Sequence, residues 1–318
     1  MSKYLVLATP RSFAKNDPAP IRLLEENDCE VMRLPKDGGQ LEDQLAEYLP
    51  KADAVIAGLE EYNENLLQSA KKLKIISRYG VGYDKVDVAA AYRLGIKVSN
   101  TPGANSDAVA DLAISLMLAA ARSICPMDAT IRKGENQKPV TGVEMWKKTL
   151  GVVGTGRIGK GVIERASGFQ MNILANDAYP DPSFIEKHHG KYVDLDELVA
   201  ESDFISLHAP LTEETRNMID ERRLNLMKPH AVLVNTARGG IVDEDALYRA
   251  LKDGRIGAAA LDATVIEPAC GSPLASLPNC ILTPHAGAAT YEAGKNMGLM
   301  AAQNVLDVLS GKECPYLV

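Results

Sequence analysis

The chain has 318 residues and carries 35 Lys or Arg and 42 Asp or Glu, which gives a formal net charge of −7 at pH 7. Apolar residues make up 46% of the chain and charged residues 24%, which excludes collagen-like and wholly disordered proteins. A chain of this length fits one large domain or two ordinary ones. The acidic balance argues against a general nucleic-acid binder, which needs a net basic surface.

The N-terminal segment Met1–Ala8 holds an apolar run that is too short for a secretory signal, and we interpret it as a first buried strand. The apolar stretch over 112–121 is about half as long as a bilayer span. Five cysteines without a C-x-x-C pair favour reduced thiols over a disulfide framework or a zinc ribbon. No two histidines are spaced as metal ligands. We therefore expect a cytoplasmic protein with no membrane partner and no metal.

Short apolar or β-branched runs predict the strands of the first hundred residues, which are Tyr4–Ala8, Glu30–Leu34, Ala54–Ala57, Lys74–Ser77 and Lys97–Ser99. Amphipathic stretches between them predict helices over Ile21–Glu26, Leu41–Leu49, Asn65–Ala70 and Val86–Leu94. This strict alternation of strand and helix favours a parallel sheet that is covered by helices on both faces.

A long apolar helix is predicted over Ser106–Arg122, and a polar, exposed arm over Ile131–Val143. The strands predicted after this arm are Leu150–Val153, Asn172–Ala175, Phe204–Leu207, Ala231–Asn235, Ala258–Leu261 and Ile281–Leu282. Their nearly uniform apolar character is typical of strands buried on both faces. A last helix is predicted over Glu292–Leu309. The chain is therefore predicted to form two α/β units.

A glycine-rich loop, Gly154–Gly159, directly follows a predicted strand and opens a predicted helix. In this pattern Gly154 suits a tight turn, Gly156 a close approach to a pyrophosphate, and Gly159 close packing of helix on strand. The free N–H groups at the start of the helix suit phosphate oxygens. Asp177 follows Gly154 by 23 residues, near the spacing of a carboxylate that accepts ribose hydroxyls. Because a carboxylate repels a 2′-phosphate, NAD is favoured over NADP.

Arg238 directly follows a predicted buried strand, where open α/β sheets bind ligands. Its guanidinium suits a planar carboxylate, and a surface ion pair is the alternative interpretation. His285 follows Glu267 by 18 residues. A neighbouring carboxylate raises the pKa of an imidazole and fixes its tautomer, which makes it a proton donor to a developing alkoxide. For His285 taken alone, a structural role is the alternative.

These motifs occur in one order with Gly80-Val81-Gly82-Tyr83-Asp84, Asn100-Thr101-Pro102-Gly103, Leu207-His208-Ala209-Pro210 and Ala260-Leu261-Asp262. In this combination the chain resembles the NAD-dependent D-isomer-specific 2-hydroxyacid dehydrogenases, and within them the D-3-phosphoglycerate dehydrogenases. The resemblance implies two doubly wound parallel-sheet α/β domains. These are a flavodoxin-like substrate domain, formed by residues 1–100 and 290–318, and a Rossmann NAD domain, formed by residues 101–289.

The resemblance also implies catalytic roles. Arg238 is expected to bind the substrate carboxylate and to polarise the keto oxygen. His285 is expected to exchange a proton with that oxygen, and Glu267 to keep the imidazolium protonated and oriented. Contacts with NAD are implied for Gly154, Gly156, Arg157, Ile158, Gly159, Asp177, His208, Ala209, Pro210, Thr215, Thr236, Ala237, Asp262 and Gly287.

Substrate contacts are implied for Val81 and Gly82, whose main-chain N–H groups would meet the carboxylate, and for Arg78, which matches a basic position of the phosphoglycerate type. Phosphoglycerate-type members usually carry a further basic residue after the third strand, where this chain has Ala57-Gly58-Leu59-Glu60-Glu61. Two carboxylates near a dianionic phosphate would weaken its binding. We expect interconversion of a small 2-keto acid and its D-2-hydroxy acid. The first candidate is the 3-phosphohydroxypyruvate/D-3-phosphoglycerate pair, and the alternative is a hydroxypyruvate or glyoxylate reductase.

In this family the long helix and the arm near Arg132–Trp146 make a subunit contact, so a homodimer is expected. Two other hypotheses remain open. One is an NAD(H)-sensing binding protein of the same fold, as in the C-terminal-binding-protein corepressors. The other is a dinucleotide enzyme that acts on a formate or phosphite donor.

Overall fold

The structure is a computed structural model that describes residues 3–36, 38–136 and 138–318. The chain divides into two compact units, one formed by Met1–Asn105 with Ala289–Val318 and the other by Ser106–Ala288. Each unit holds one sheet in which the strands are parallel. The two-sheet α/β class that the sequence predicts is thereby confirmed.

The first unit contains a five-stranded sheet with the strands β1 (Tyr4–Ala8), β2 (Cys29–Arg33), β3 (Ala54–Ala57), β4 (Ile75–Arg78) and β5 (Lys97–Ser99). Their order is β2-β1-β3-β4-β5, as in flavodoxin-like sheets. The helices of this unit are α1 (Ala19–Glu25), α2 (Leu41–Tyr48), α3 (Glu64–Ser69), α4 (Val88–Arg93) and the C-terminal helix (Tyr291–Leu309).

Side chains that alternate along the strands build a core on each face of this sheet. Leu7, Val55 and Ile76 are buried on the face that carries residues of α2, α3 and α4. Their neighbours Val6 and Ile56 are buried on the opposite face, together with residues of α1 and of the C-terminal helix. The central strand β3 is thus apolar at every position because both of its faces are covered.

The second unit contains a seven-stranded sheet with the strands β6 (Thr149–Val153), β7 (Asn172–Asn176), β8 (Gly190–Tyr192), β9 (Phe204–Leu207), β10 (Val232–Asn235), β11 (Ala258–Leu261) and β12 (Cys280–Leu282). Its helices are α5 (Ser106–Ala121), α6 (Ile124–Arg132), α7 (Arg157–Ala166), α8 (Pro182–Lys187), α9 (Leu195–Glu201), α10 (Glu221–Leu226) and α11 (Glu244–Lys252). The strand order is β12-β11-β10-β9-β6-β7-β8. The winding direction reverses between β6 and β9, and ligands of doubly wound sheets bind at such a point.

Two parts of the second unit differ from the prediction. The strand β8 is absent from the predicted strands, because Gly190, Lys191 and Tyr192 form no apolar run at this edge of the sheet. The predicted arm Ile131–Val143 begins inside α6, and of its residues Gln137 lies outside the described part of the chain.

Among the described residues, no single helix has the length and apolar character that a membrane span requires. The helices α5 and α6, which bend by 66° relative to each other, reach that length and composition only when they are taken together.

Candidate functional site

The glycine-rich loop of the second unit connects β6 to α7. Gly154 adopts a φ of +88°, and a Cβ at this position would lie 2.6 Å from the main-chain nitrogen of Ala209. A Cβ on Gly159 would overlap the carbonyl oxygen of Gly154. In contrast, a Cβ on Gly156 would meet no atom within 4 Å. Gly154 and Gly159 are therefore required by packing, whereas Gly156 borders open space where a ligand can approach the backbone.

The first turn of α7 begins beside this open space. The N–H of Lys160 donates to the carbonyl of Gly156 and closes the first turn of the helix. The N–H groups of Arg157, Ile158 and Gly159 precede it and have no acceptor within the helix. Donors at a helix N-terminus suit a phosphate group. Together with the space at Gly156, they fit the pyrophosphate of a dinucleotide.

Asp177 follows β7 and its carboxylate is fixed beside the glycine-rich loop. One oxygen accepts from the main-chain N–H of Thr155 at 2.5 Å and from its hydroxyl at 3.0 Å, and the other accepts from the N–H of Tyr179 at 2.8 Å. The Thr155 hydroxyl also lies 2.8 Å from the hydroxyl of Tyr192 on β8. Thr155 and Tyr192 are absent from the predicted site, since neither shows a motif of its own and one lies on the unpredicted strand.

The turn after β9 holds the predicted residues His208, Ala209, Pro210 and Thr215. Desolvation lowers the pKa of His208 to about 3, so its imidazole is neutral at pH 7. Its Nε2 lies 2.8 Å from the Ser206 hydroxyl, and its Nδ1 lies 3.4 Å from the hydroxyl of Thr236. The Thr215 hydroxyl donates to the carbonyl of Pro210 at 2.6 Å and thereby closes the turn. The NAD contacts expected for these residues stay predictions.

His285 and Glu267 lie at the carboxyl edge of the same sheet and form an ion pair. The Nδ1 atom of His285 is 3.0 Å from Oε1 and 2.9 Å from Oε2 of Glu267. Because Nδ1 donates to the carboxylate, Nε2 is the ring nitrogen that is left for a substrate. The structure thus brings together two residues that are 18 positions apart in the sequence.

Protonation of the pair follows from its surroundings. The hydrogen bond to Glu267 raises the pKa of His285, although burial and the charge of Arg238 oppose it. Burial is the largest single influence on Glu267 and favours its neutral form. The hydrogen bond and charge of His285, the N–H of Thr264 and the charge of Arg238 together outweigh it, so the pKa of this carboxyl is lowered. Both pKa shifts therefore favour the charged pair, in which His285 is an imidazolium and Glu267 a carboxylate. The charge of Arg238 acts on both groups and lowers the pKa of each.

The loop that carries His285 is wrapped around the carboxylate of Asp262, which is 3% exposed. This carboxylate accepts hydrogen bonds from the Thr283 hydroxyl at 2.6 Å, from Ala286 N at 2.7 Å and from Gly287 N at 2.8 Å. His285 itself adopts a φ of +53° and donates its N–H to the carbonyl of Asp262 at 3.1 Å. Asp262 therefore sets the position of the imidazole, a role that the sequence does not reveal. Its expected contact with NAD stays a prediction.

Arg238 lies in the turn after β10, next to the ends of β9 and β11. The Asn235 side chain shapes this turn, since its Oδ1 accepts from Ala237 N at 3.0 Å and its Nδ2 donates to the carbonyl of Arg238 at 2.8 Å. The Nη1 atom of Arg238 donates to the Ala237 carbonyl at 2.7 Å. Arg238, Glu267 and His285 thus belong to one edge of the second unit.

In the first unit, Arg78 ends β4 and is 3% exposed. Its Nη1 donates to the carbonyl of Ala57 at 2.8 Å, and its Nε donates to the carbonyl of Gly82 at 2.9 Å. The guanidinium therefore lies under the loop that holds Val81 and Gly82, and two of its nitrogens bond to the main chain. The phosphate contact expected for Arg78 stays a prediction.

Glu60 lies at the carboxyl edge of the same sheet, after β3. Its Oε1 accepts from the Thr9 hydroxyl at 2.5 Å, from Gly58 N at 2.9 Å and from the Tyr62 hydroxyl at 2.7 Å. Burial, together with the charge of Glu60, raises the pKa of Tyr62 well above its ordinary value, so Tyr62 remains a donor. The carboxylate of Glu60 is thereby held in one orientation.

In the part of the chain that the structure describes, no three His, Cys, Asp or Glu side chains are grouped so that they could hold a metal ion.

Residues 114–287 match the sequence model of the D-isomer specific 2-hydroxyacid dehydrogenase, NAD binding domain. Glyoxylate reductase of Thermococcus litoralis is 44% identical over 283 residues, which cover 86% of each chain. D-3-phosphoglycerate dehydrogenase of Methanocaldococcus jannaschii is 44% identical over 296 residues, which cover 92% of this chain and 56% of that longer protein.

Solved structures resemble the chain over nearly its whole length. The TT0316 protein from Thermus thermophilus has a TM-score of 0.88 at 37% identity, with 99% of both chains covered. D-Lactate dehydrogenase from Aquifex aeolicus, complexed with NAD and lactic acid, has a TM-score of 0.85 at 28% identity, with 98% of both chains covered. The chain therefore belongs to the D-isomer-specific 2-hydroxyacid dehydrogenases, a family of NAD-dependent oxidoreductases.

Proposed function

We propose that the protein reduces a small, unphosphorylated 2-keto acid of the glyoxylate or hydroxypyruvate type, and that it catalyses the reverse oxidation of the 2-hydroxy acid. The observation that carries this choice of substrate is the oriented carboxylate of Glu60 at the carboxyl edge of the first sheet. Support for the reaction comes from the His285–Glu267 ion pair and from Arg238, which follows the strand β10 at the same edge of the sheet.

The proton in this reaction is assigned to His285. In reduction, its Nε2 gives a proton to the keto oxygen of the substrate, and in oxidation it takes the proton back. Glu267 stabilises the charged imidazolium and orients the ring through Nδ1. Arg238 is assigned to the substrate carboxylate and to polarisation of the keto oxygen, because a guanidinium offers paired donors to a planar acid.

When bound, NADH supplies the hydride and NAD⁺ accepts it. The pyrophosphate is assigned to the N–H groups of Arg157 and Ile158 beside Gly156, and the ribose hydroxyls to the carboxylate of Asp177. The remaining contacts with the dinucleotide are assigned to Gly154, Gly159, His208, Ala209, Pro210, Thr215, Thr236, Ala237, Asp262 and Gly287.

Glu60 argues against a phosphorylated substrate. A fixed carboxylate repels a dianionic phosphate, and desolvation strengthens the repulsion. The nearby Arg78 uses two of its nitrogens to bind the carbonyls of Ala57 and Gly82. Its guanidinium therefore supports the main chain at Ala57 and Gly82, which leaves it poorly suited to bind phosphate directly.

D-3-Phosphoglycerate is the second candidate substrate. The positive charge of Arg78 favours it, because this charge acts on Tyr62, whose hydroxyl donates to Glu60. The resemblance of the sequence to D-3-phosphoglycerate dehydrogenases points in the same direction.

The expected homodimer and cytoplasmic location also remain proposals. Apolar side chains in and after α6 are exposed, and a second copy of the chain would cover them: Ile124, Ile131, Val140 and Trp146.

Substrate choice is tested by comparing glyoxylate, hydroxypyruvate and 3-phosphohydroxypyruvate with NADH. We expect the highest kcat/KM for an unphosphorylated acid. Glu60→Gln removes the charge but keeps the shape, so it should raise kcat/KM for the phosphorylated acid roughly fivefold relative to glyoxylate, corresponding to ~1 kcal/mol of repulsion. The matched control is Glu61→Gln, an equal change of charge at the exposed neighbour. A wild-type preference for the phosphorylated acid would refute the proposal.

The pH dependence of the reaction tests whether Glu267 raises the pKa of His285. Reduction requires protonated His285, so its rate should fall as the pH rises through the raised pKa of this imidazole. Glu267→Gln removes the charge that raises this pKa and should move the falling limb to lower pH by about one unit. In oxidation, which requires the neutral ring, the rising limb should move in the same direction. Identical profiles of wild type and variant would contradict the role of Glu267.

Cofactor preference tests Asp177. Asp177→Ala removes the carboxylate that repels a 2′-phosphate, so the ratio of kcat/KM for NADH over NADPH should fall by roughly tenfold. Asp253→Asn, an exposed change of equal charge at the end of α11, serves as the control. An unchanged ratio in the Asp177 variant would show that another residue discriminates between NADH and NADPH.

A further inference from the structure

Three successive carbonyl groups in the loop after β4 are tied to other parts of the first unit. Each accepts one hydrogen bond: Gly80 O from Thr101 N at 3.0 Å, Val81 O from Asn100 Nδ2 at 2.8 Å, and Gly82 O from Arg78 Nε at 2.9 Å. The orientation of three consecutive peptide groups is therefore set from outside the loop.

The N–H groups of these peptides point the other way. A trans peptide is planar, with its carbonyl and its N–H on opposite sides, and the peptides of this loop are trans. The N–H groups of Val81, Gly82 and Tyr83 are thus turned away from the groups that hold the carbonyls. Over residues 3–36, 38–136 and 138–318, none of the three donates a hydrogen bond to the protein. Consecutive main-chain donors of this kind suit an anion.

The loop does not fix this orientation by itself. Val81 is flanked by two glycines, and Gly80 adopts a φ of +149°. Glycine permits a wide range of backbone angles, so the peptide groups on either side of Val81 are free to rotate unless something holds them. If they rotated, carbonyl oxygens would face the anion in place of N–H groups.

The two residues that hold these peptides are themselves anchored. Asn100 is 9% exposed, its main-chain N–H donates to the carbonyl of Tyr316 at 3.1 Å, and its main-chain carbonyl accepts from Asn304 Nδ2 at 3.0 Å. Arg78 is 3% exposed and also bonds to the carbonyl of Ala57. The Arg78 guanidinium therefore cannot follow a rotating peptide without losing its bond to Ala57, and the Asn100 side chain extends from a main chain that is held at both its N–H and its carbonyl.

We propose that Asn100 and Arg78 are positioning residues that hold the loop so that the N–H groups of Val81, Gly82 and Tyr83 bind the substrate carboxylate together. The inference rests on the proposed function. It adds Tyr83 N–H as a third donor and assigns Arg78 to the support of the carboxylate site. The positive charge of Arg78 beneath the loop further favours an anion there.

The test uses oxamate, a planar 2-keto-acid analogue, and the full chain saturated with NADH. Asn100→Leu keeps a similar volume but removes the donor to Val81 O. We expect its Kd for oxamate and its KM for glyoxylate to rise roughly tenfold, which corresponds to about 1.4 kcal/mol, while the Kd for NADH changes little. Asn100→Gln, which keeps the amide, should restore part of the affinity. Ser99→Ala, a buried change next to Asn100 that leaves the loop contacts intact, is the matched control.

Two further measurements keep the proposal falsifiable if Asn100→Leu fails to fold. Arg78→Lys keeps the charge but loses the paired donors, so oxamate should bind more weakly with the fold retained. In the wild type, oxamate should shift the amide NMR resonances of Val81, Gly82 and Tyr83. If the wild type reduces keto acids but these resonances stay in place, the inference fails and the proposed function stands. If no keto acid is reduced, the proposed function fails, and the inference fails with it.

Discussion

The proposed chemistry depends on the contact between the His285 imidazole and the Glu267 carboxylate. The parallel strands β11 and β12 are neighbours, so the segments that follow them emerge at one edge of the sheet. Asp262 then binds the loop after β12 at three points and fixes the backbone of His285. A general acid needs both a suitable pKa and a fixed direction. Glu267 raises the pKa of His285, and Asp262 helps to fix the direction of its imidazole.

The proposed binding of anions depends on individual N–H and guanidinium groups and not on the net charge of the chain. The protein carries a net charge of −7, yet its candidate substrate and cofactor are anionic. In the proposed function, the attraction comes from N–H groups at the start of α7, from a loop of main-chain donors after β4, and from the side chains of Arg238 and Arg78. Each set lies at the carboxyl edge of a parallel sheet, where ligands of such sheets bind. A net acidic surface is therefore compatible with an acidic small molecule as substrate.

Much of this arrangement could be predicted from local sequence. The predicted strands differ from the observed ones by no more than one residue at either end, because strands buried on both faces form apolar runs between turn signals. The short edge strand β8 is not predicted, because Gly190 and Lys191 leave Tyr192 outside any apolar run. The sequence also does not predict side-chain contacts between residues that are far apart along the chain, such as Thr155 with Tyr192 and Asn100 with Val81. No local pattern reports which carbonyl a buried amide will hold, and the buried position of Arg78 could not be predicted either.

The most direct measurement is an NMR titration of the His285 imidazole in the wild type and in Glu267→Gln, with His285→Ala used to assign the resonance. The account predicts a pKa above the ordinary value of about 6.5 in the wild type, in the direction that the hydrogen bond to Glu267 dictates. The pKa should fall when the carboxylate is replaced. A wild-type pKa at or below 6.5 that the substitution leaves unchanged would contradict the central claim that Glu267 keeps His285 protonated for proton transfer.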